Sequence, residues 1–210
     1  IRRAGAELTR EVLVLDGSQC RMREVGTAHL VEIMNDYDLL PVHNYRFGAH
    51  EESHKIASDK FKPIFAQGID DGCALGCDMA CAKAVEGHLL RTGPDRGKKV
   101  LVDGPEYETA SGCGSNLGIF EPWAIVEINY YCDHYGLDTI SFGTLMAFVM
   151  ECFEAGVLNL ERTGGIDLRF GSVDGTLEVL HQMARGEGFG AIAGQAVRRL
   201  QRIVSERFRA

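Results

Sequence analysis

The chain has 210 residues, 45% of them hydrophobic and 25% charged, with a formal net charge of −8. That length can bury a core in one large domain or two small ones, the composition excludes a disordered chain, and the acidic balance argues against a general nucleic-acid surface. No run of about eighteen apolar residues occurs, so no membrane span is expected.

Seven cysteines, odd in number and with three clustered, do not read as a secreted disulfide scaffold; a reducing cytoplasm suits them better. The chain starts at Ile1 without Met or a signal peptide, and the expectation is an excerpt of a longer polypeptide.

In chain order, Ala6–Leu15 is too short and mixed to assign. Thr27 is placed to cap a helix carrying Leu30, Val31, Ile33 and Met34. Pro41 then ends the helix and begins an extended loop. His43, His50 and His54 fall in or just after this loop near Glu51 and Glu52. They form either a metal site or a solvated loop, and no ligand motif surrounds them. Residues 53–65 read as a short amphipathic helix.

Next comes Gly72 to Lys83, which places Cys73, Cys77 and Cys81 within nine residues. Three thiolates so close can hold zinc or an iron–sulfur cluster, whose usual ligands are four cysteines. If the segment is helical, the spacing of four puts the sulfurs on one stripe, and a packed seam of small residues is the plain alternative.

Residues 91–99 read as a polar surface turn. Gly104 to Thr109 leads into a Gly-rich passage, 111–118, which lacks the Lys-Ser/Thr of a phosphate loop. Pro122 at a first-turn position opens a strong helix after Glu121, and Gly136 ends it. A second helix covers about 139–155, a third about 174–185 and a fourth about 191–208. The fourth is amphipathic, and its arginines read as a solvated face.

Asp133 to Thr139 joins the two strongest helices, with carboxylates on both sides of a tight turn. Either Asp138 caps the next helix, or exposed amides and carboxylates there bind a heterocyclic cofactor. No hairpin signal and no period of two appears. The expected fold is therefore mainly α: a single multi-helix domain over 1–210.

Several ordered motifs carry a resemblance. They are Gly26-Thr27, Leu40-Pro41-Val42-His43-Asn44, the cysteine cluster, Pro105 to Thr109, Gly114 to Ile119, Asp133-x-x-Gly136-Leu137-Asp138-Thr139-Ile140-Ser141, Leu168 to Gly171, and Glu187 to Gly190. Together they resemble the middle, helical domain of the aldehyde ferredoxin oxidoreductase family, tungsten enzymes with a bis-pterin cofactor beside a [4Fe–4S] cluster.

The resemblance implies that Cys73, Cys77 and Cys81 ligate the cluster, with the fourth ligand further along the polypeptide. The first gap is one residue longer here than in the family's Cys-x2-Cys-x3-Cys. Asp133, Leu137 and Asp138 would form one of two pterin-binding motifs, their carboxylates suiting the N–H donors of the pterin. Glu108, or more weakly Glu106, would be the acid–base carboxyl near the metal, its pKa raised by desolvation. Some members hold an iron between subunits through a glutamate and a histidine. Glu127 and His181 (in Glu178-x-x-His181) occupy comparable places, where a salt-bridged surface patch is the plain alternative. Cys113 is either a packed residue or a tungsten ligand of the kind used by relatives that reduce aromatic acyl-CoA; Cys20, Cys132 and Cys152 are assigned to packing.

The implied function is oxidation of a small aldehyde to its carboxylic acid. Tungsten or molybdenum would sit on the bis-pterin, and electrons would leave through the cluster to ferredoxin or an electron-transfer subunit. Flanking domains are needed for activity, and homo-oligomerisation is open. The rivals are an aromatic acyl-CoA reductase on the same scaffold and a non-catalytic helical module holding zinc or a cluster.

Overall fold

The computed structural model describes residues 2–15, 17–66 and 80–207. The fold is mainly α, with ten α-helices and one two-stranded sheet among the described residues. In chain order they are α1 (Arg2–Leu15), α2 (Gly17–Val25), α3 (Leu30–Asp36), α4 (Ser58–Phe61), β1 (Ala84–Leu89), β2 (Lys99–Asp103), α5 (Tyr107–Gly112), α6 (Pro122–Tyr135), α7 (Thr139–Glu154), α8 (Val173–Arg185), α9 (Gly188–Ala193) and α10 (Val197–Arg207).

Helix α6 is the centre. Proline at its first turn lacks an N–H that would have had no helical partner anyway. Gly136 ends it at φ 69°, where Leu137 N donates to Cys132 O (2.7 Å) and Gly136 N to Asp133 O (3.1 Å). This crossed pair closes the last turn as in a Schellman motif. Ile125, Ile128, Tyr131 and Cys132 of α6 are fully buried, as are Met146 and Met150 of α7. Helix α6 touches both strands, α5, α7 and α8. At Gly143 of α7 a Cβ would sit 2.6 Å from Gly112 O, so only glycine lets α5 and α7 approach this closely. No single helix among the described residues is long and apolar enough to cross a membrane.

The structure corrects several local expectations. Strands β1 and β2 form an antiparallel hairpin, and the polar stretch at 91–99 is its connection and the first residue of β2. The alternation is hidden by a bulge between Glu86 and His88, with Gly87 at φ 71°, and by the exposure of Leu89 and Leu101. Ala6–Leu15 belongs to α1. Residues 51–64 split into 3₁₀ turns around the four-residue α4. The fourth helix breaks into α9 and α10, with Ala196 at φ 70° before α10. Thr27 opens a 3₁₀ turn without capping it, because its hydroxyl is used elsewhere.

One row of α6 side chains anchors the hairpin. The Arg91 guanidinium lies 3.9 Å from the centre of the Trp123 ring. Fully buried Glu127 accepts from the Arg91 amide (2.9 Å), the Thr92 amide (2.8 Å) and the Thr92 hydroxyl (2.6 Å). His88 Nε2 lies 3.5 Å from the same carboxylate. One turn further on, the Tyr131 hydroxyl donates to Thr92 O (2.6 Å). Burial opposes the charge on Glu127, but these donors outweigh it and hold its carboxyl below the usual range. Glu127→Ala would strand the Arg91 and Thr92 amides and is expected to cost about 2 kcal/mol or more, from roughly 1–3 kcal/mol per stranded group. Urea unfolding at neutral pH measures this.

Candidate functional site

The Asp133–Thr139 turn is where α6 hands the chain to α7. Its closure consumes the Gly136 and Leu137 amides, so those two are not offered to a ligand. What the turn offers outward is acceptors. Asp138 caps α7, accepting from Ser141 N at 2.8 Å, and the Ser141 hydroxyl and amide hold its carboxyl below the ordinary range. Asp133 is exposed and accepts from Asn129 Nδ2 (3.2 Å), which also donates to Asp103 O (2.6 Å). Partial burial and the neighbouring Asp103 push the Asp133 pKa up. Leu137 and Asp138 line a groove of about 480 Å³ with Ile140, Phe142, Met183 and Val197, and Asp133 stands outside that lining.

A second cavity of about 260 Å³ is bounded by Leu39, Pro41, Tyr45, Tyr107, Glu108 and Ile140. Ile140 and Thr144 line both spaces, so one turn of α7 separates the candidate pterin turn from the candidate acid–base carboxyl.

Glu108 is exposed, whereas Glu106 is half-buried. The raised pKa expected of the acid–base carboxyl falls on Glu106, through burial first, then Glu108 and Asp103; the Thr27 hydroxyl and Lys83 oppose it. Thr27 donates its hydroxyl to Glu106 Oε2 in a short contact and accepts from the Tyr107 amide at 2.9 Å.

Beside Thr27, Gly26 sits at φ 75° where a Cβ would lie 3.3 Å from Cys81 O and 3.0 Å from Lys83 Cγ. Gly104 N donates to Lys83 O (2.7 Å). The end of the cysteine segment and the Glu-Tyr-Glu stretch therefore meet at Gly26-Thr27. Cys81 is half-buried in irregular chain, so a helical stripe of cysteines does not reach it. Cys73 and Cys77 lie outside the described residues, as does the side chain of Cys20.

Cys113 is fully buried, with Sγ 3.5 Å from Thr139 O, and burial pushes its thiol up to about 12. Cys132 is buried and Cys152 half-buried, both against the same core.

Glu127 and His181 are buried, not a surface patch. The Thr92 hydroxyl stands between them, 2.6 Å from Glu127 Oε1 and 2.9 Å from His181 Nε2, while Tyr135 Oη lies 2.9 Å from His181 Nδ1. Glu178 is exposed and paired with Arg185 instead (3.6 Å). Among the described residues, no three His, Cys, Asp or Glu side chains group to hold a metal ion.

In the histidine loop Tyr45, Arg46 and Phe47 are solvated, but two of the histidines are not. His43 stacks on Phe170 (4.5 Å between centres) and His50 on Phe120 (4.4 Å), and only His54 is exposed.

Within that loop His43, Asn44 and Tyr45 are consecutively left-handed, at φ 47°, 57° and 61°. Such residues cost roughly 1–3 kcal/mol each unless their surroundings over-determine them. Here the Asn44 amide donates to Asn116 O (3.1 Å) and the Tyr45 amide to Asn116 Oδ1 (3.0 Å). Sequence reasoning missed this turn, the clasp made by Thr27, and Thr92. Its only signal was Asn44, a residue tolerant of that conformation.

The family profile described as aldehyde ferredoxin oxidoreductase, domains 2 and 3, matches residues 3–209. The chain belongs to this family. It is 36% identical over 194 residues to a tungsten-containing aldehyde ferredoxin oxidoreductase of Pyrococcus abyssi, a match covering 87% of this chain and 28% of that protein. It is 31% identical to an aliphatic sulfonate oxidoreductase WOR-like subunit of Pyrococcus furiosus, over 90% of this chain and 29% of that one. The chain thus spans less than a third of these curated relatives. A solved BamBC active-site complex of benzoyl coenzyme A reductase, bound to 1,5-dienoyl-CoA, shares the fold at TM-score 0.60 and 17% identity, over 87% of this chain and 26% of that one.

The protonation of Glu106 is measurable through its effect on stability. Its folded pKa lies above the ordinary value of 4.5, so ionisation costs stability as pH rises through that folded value. Glu106→Gln removes the cost. Its urea midpoint is expected to exceed wild type at pH 7 and to converge with it below about pH 4.5, where both states of the wild type are protonated.

Proposed function

We propose that this chain is the cluster- and pterin-binding helical part of a tungsten- or molybdenum-dependent oxidoreductase that converts small aldehydes to carboxylic acids. The observation that carries the reading is the meeting of three separated motifs at Gly26-Thr27. Cys81 and Lys83 lie on one side of that turn, and Glu106 and Tyr107 on the other.

The donor set suits the cofactors. The turn at Asp133–Thr139 exposes carboxylate acceptors while its Gly136 and Leu137 amides are internally used, which fits the N–H edge of a pterin. Asp138 and Leu137 would hold that edge beside the groove, with Asp133 one turn away. Cys81 would be one thiolate ligand of a [4Fe–4S] cluster; Cys73 and Cys77 are proposed as two more on their spacing. When bound, the metal–pterin unit would supply two-electron oxidation and the cluster one-electron transfer to ferredoxin or a partner subunit.

The chain's own residues would handle protons. Glu106 is held partly protonation-prone by burial, and the Thr27 hydroxyl fixes its orientation. Glu108 opens directly onto the smaller cavity and would exchange a proton with a substrate or water there. For Glu127 and His181 we propose a structural role in seating the hairpin, since the Thr92 hydroxyl occupies the space between them. A reducing cytoplasm is the proposed location, where clustered thiols stay unoxidised.

Metal analysis of the full-length protein, purified without oxygen, tests the reading. About four iron per chain, consistent with one cluster, together with tungsten or molybdenum is expected, with a broad visible charge-transfer band. Cys81→Ala should lose iron and that band. A preparation containing neither iron nor tungsten nor molybdenum would refute the assignment.

A further inference from the structure

Three consecutive non-glycine residues in the left-handed region stand out among the described backbone. The turn they make is clamped from several sides. The His43 amide donates to Ser115 O (3.3 Å), and its ring stacks on Phe170. The Asn44 side chain donates to Glu151, and Arg46 pairs with both Glu151 (3.3 Å) and Glu154 (3.7 Å). His43 and Asn44 are spent on these contacts, whereas Tyr45 keeps 64% of its surface exposed and lines the cavity that contains Glu108. A strained turn fixed this thoroughly does one thing a relaxed loop would not: it holds an exposed aromatic ring at a set place on the cavity wall.

We propose that Tyr45 is a specificity-determining residue, its ring the wall that limits substrate size in the cavity opening on Glu108. Tyr107, Ile140, Pro41 and Leu39 share the lining with it, so the walls are mostly aromatic and aliphatic, with the Glu108 carboxyl and the Ser111 and Thr144 side chains as the polar groups. The volume, about 260 Å³, is roughly nine times a water molecule's share of the liquid, about 30 Å³. That suits an aldehyde about the size of benzaldehyde and is tight for a fused bicyclic ring. The shape of the ring carries the selection, so Phe should serve as well as Tyr at this position. The inference rests on the aldehyde-oxidising function proposed above.

The test uses the full-length enzyme with acetaldehyde, benzaldehyde and 1-naphthaldehyde. Tyr45→Ala is expected to raise the kcat/KM ratio of 1-naphthaldehyde to benzaldehyde by about tenfold or more, the scale on which apolar pockets discriminate added groups. Tyr45→Trp should move selectivity the other way, lowering benzaldehyde relative to acetaldehyde, and Tyr45→Phe should leave all ratios near wild type. A second readout needs no turnover: calorimetric titration of the same proteins with benzamide and 1-naphthamide, which should show the bicyclic amide binding more tightly to Tyr45→Ala only. Unchanged ratios with unchanged amide affinities in both the Ala and Trp variants would overturn the proposal. If the protein carries no tungsten, molybdenum or iron, the functional assignment fails while the amide titration still decides the role of Tyr45.

Discussion

The hydroxyl of Thr27 is shared between the Glu106 carboxyl and the Tyr107 amide, partners some eighty positions further along the chain. Everything proposed for the site depends on that clasp. It sets where α5 begins and therefore where Glu108 points, and it leaves a half-buried carboxyl oriented by one hydrogen bond. Gly26 beside it has no Cβ, so the chain from Cys81 to Lys83 can cross directly over the turn. A Cβ at position 26 would press on Lys83 Cγ at 3.0 Å and Cys81 O at 3.3 Å, and the φ of 75° would be strained for any side chain.

A buried charge performs the second positioning task. Glu127 sits in the central helix with no exposed surface, and the donors around it come almost entirely from the hairpin. Burying a carboxylate is unfavourable unless its lone pairs are met, so the loop at Arg91–Thr92 has little freedom to shift. Because β2 runs from that loop to Gly104, and Gly104 bonds back to Lys83, the hairpin carries the constraint from α6 to the ends of both functional stretches. The same helix ends at Gly136 and presents Asp133 and Asp138. The core of the fold and the outline of the site are thus built from one helix and its two neighbours.

Much of the helical framework was legible. Pro122, Gly136 and Asp138 punctuate α6 and α7 by local stereochemistry: a fixed φ, a left-handed cap and a side-chain acceptor for a terminal amide. The hairpin was not legible, because a bulge and exposed aliphatic residues erase the period of two. Glu127 and His181 looked like surface residues because charge and a single imidazole say nothing of burial, and here Thr92, remote in sequence, satisfies both. Glu106, the weaker candidate by motif, carries a raised pKa, since desolvation depends on what covers a group.

By itself the sequence determined the family, the mainly α character and the identities of the groups available for chemistry: clustered thiols, a Glu-Tyr-Glu run and an Asp-x-x-Gly-Leu-Asp turn. These follow from residue type and short-range spacing. Only the tertiary structure decided which of these groups meet, which are buried, and that a left-handed turn holds Tyr45 in the lining of a cavity with Glu108. Those outcomes depend on contacts between residues far apart in the chain, where burial and hydrogen bonding override local preference.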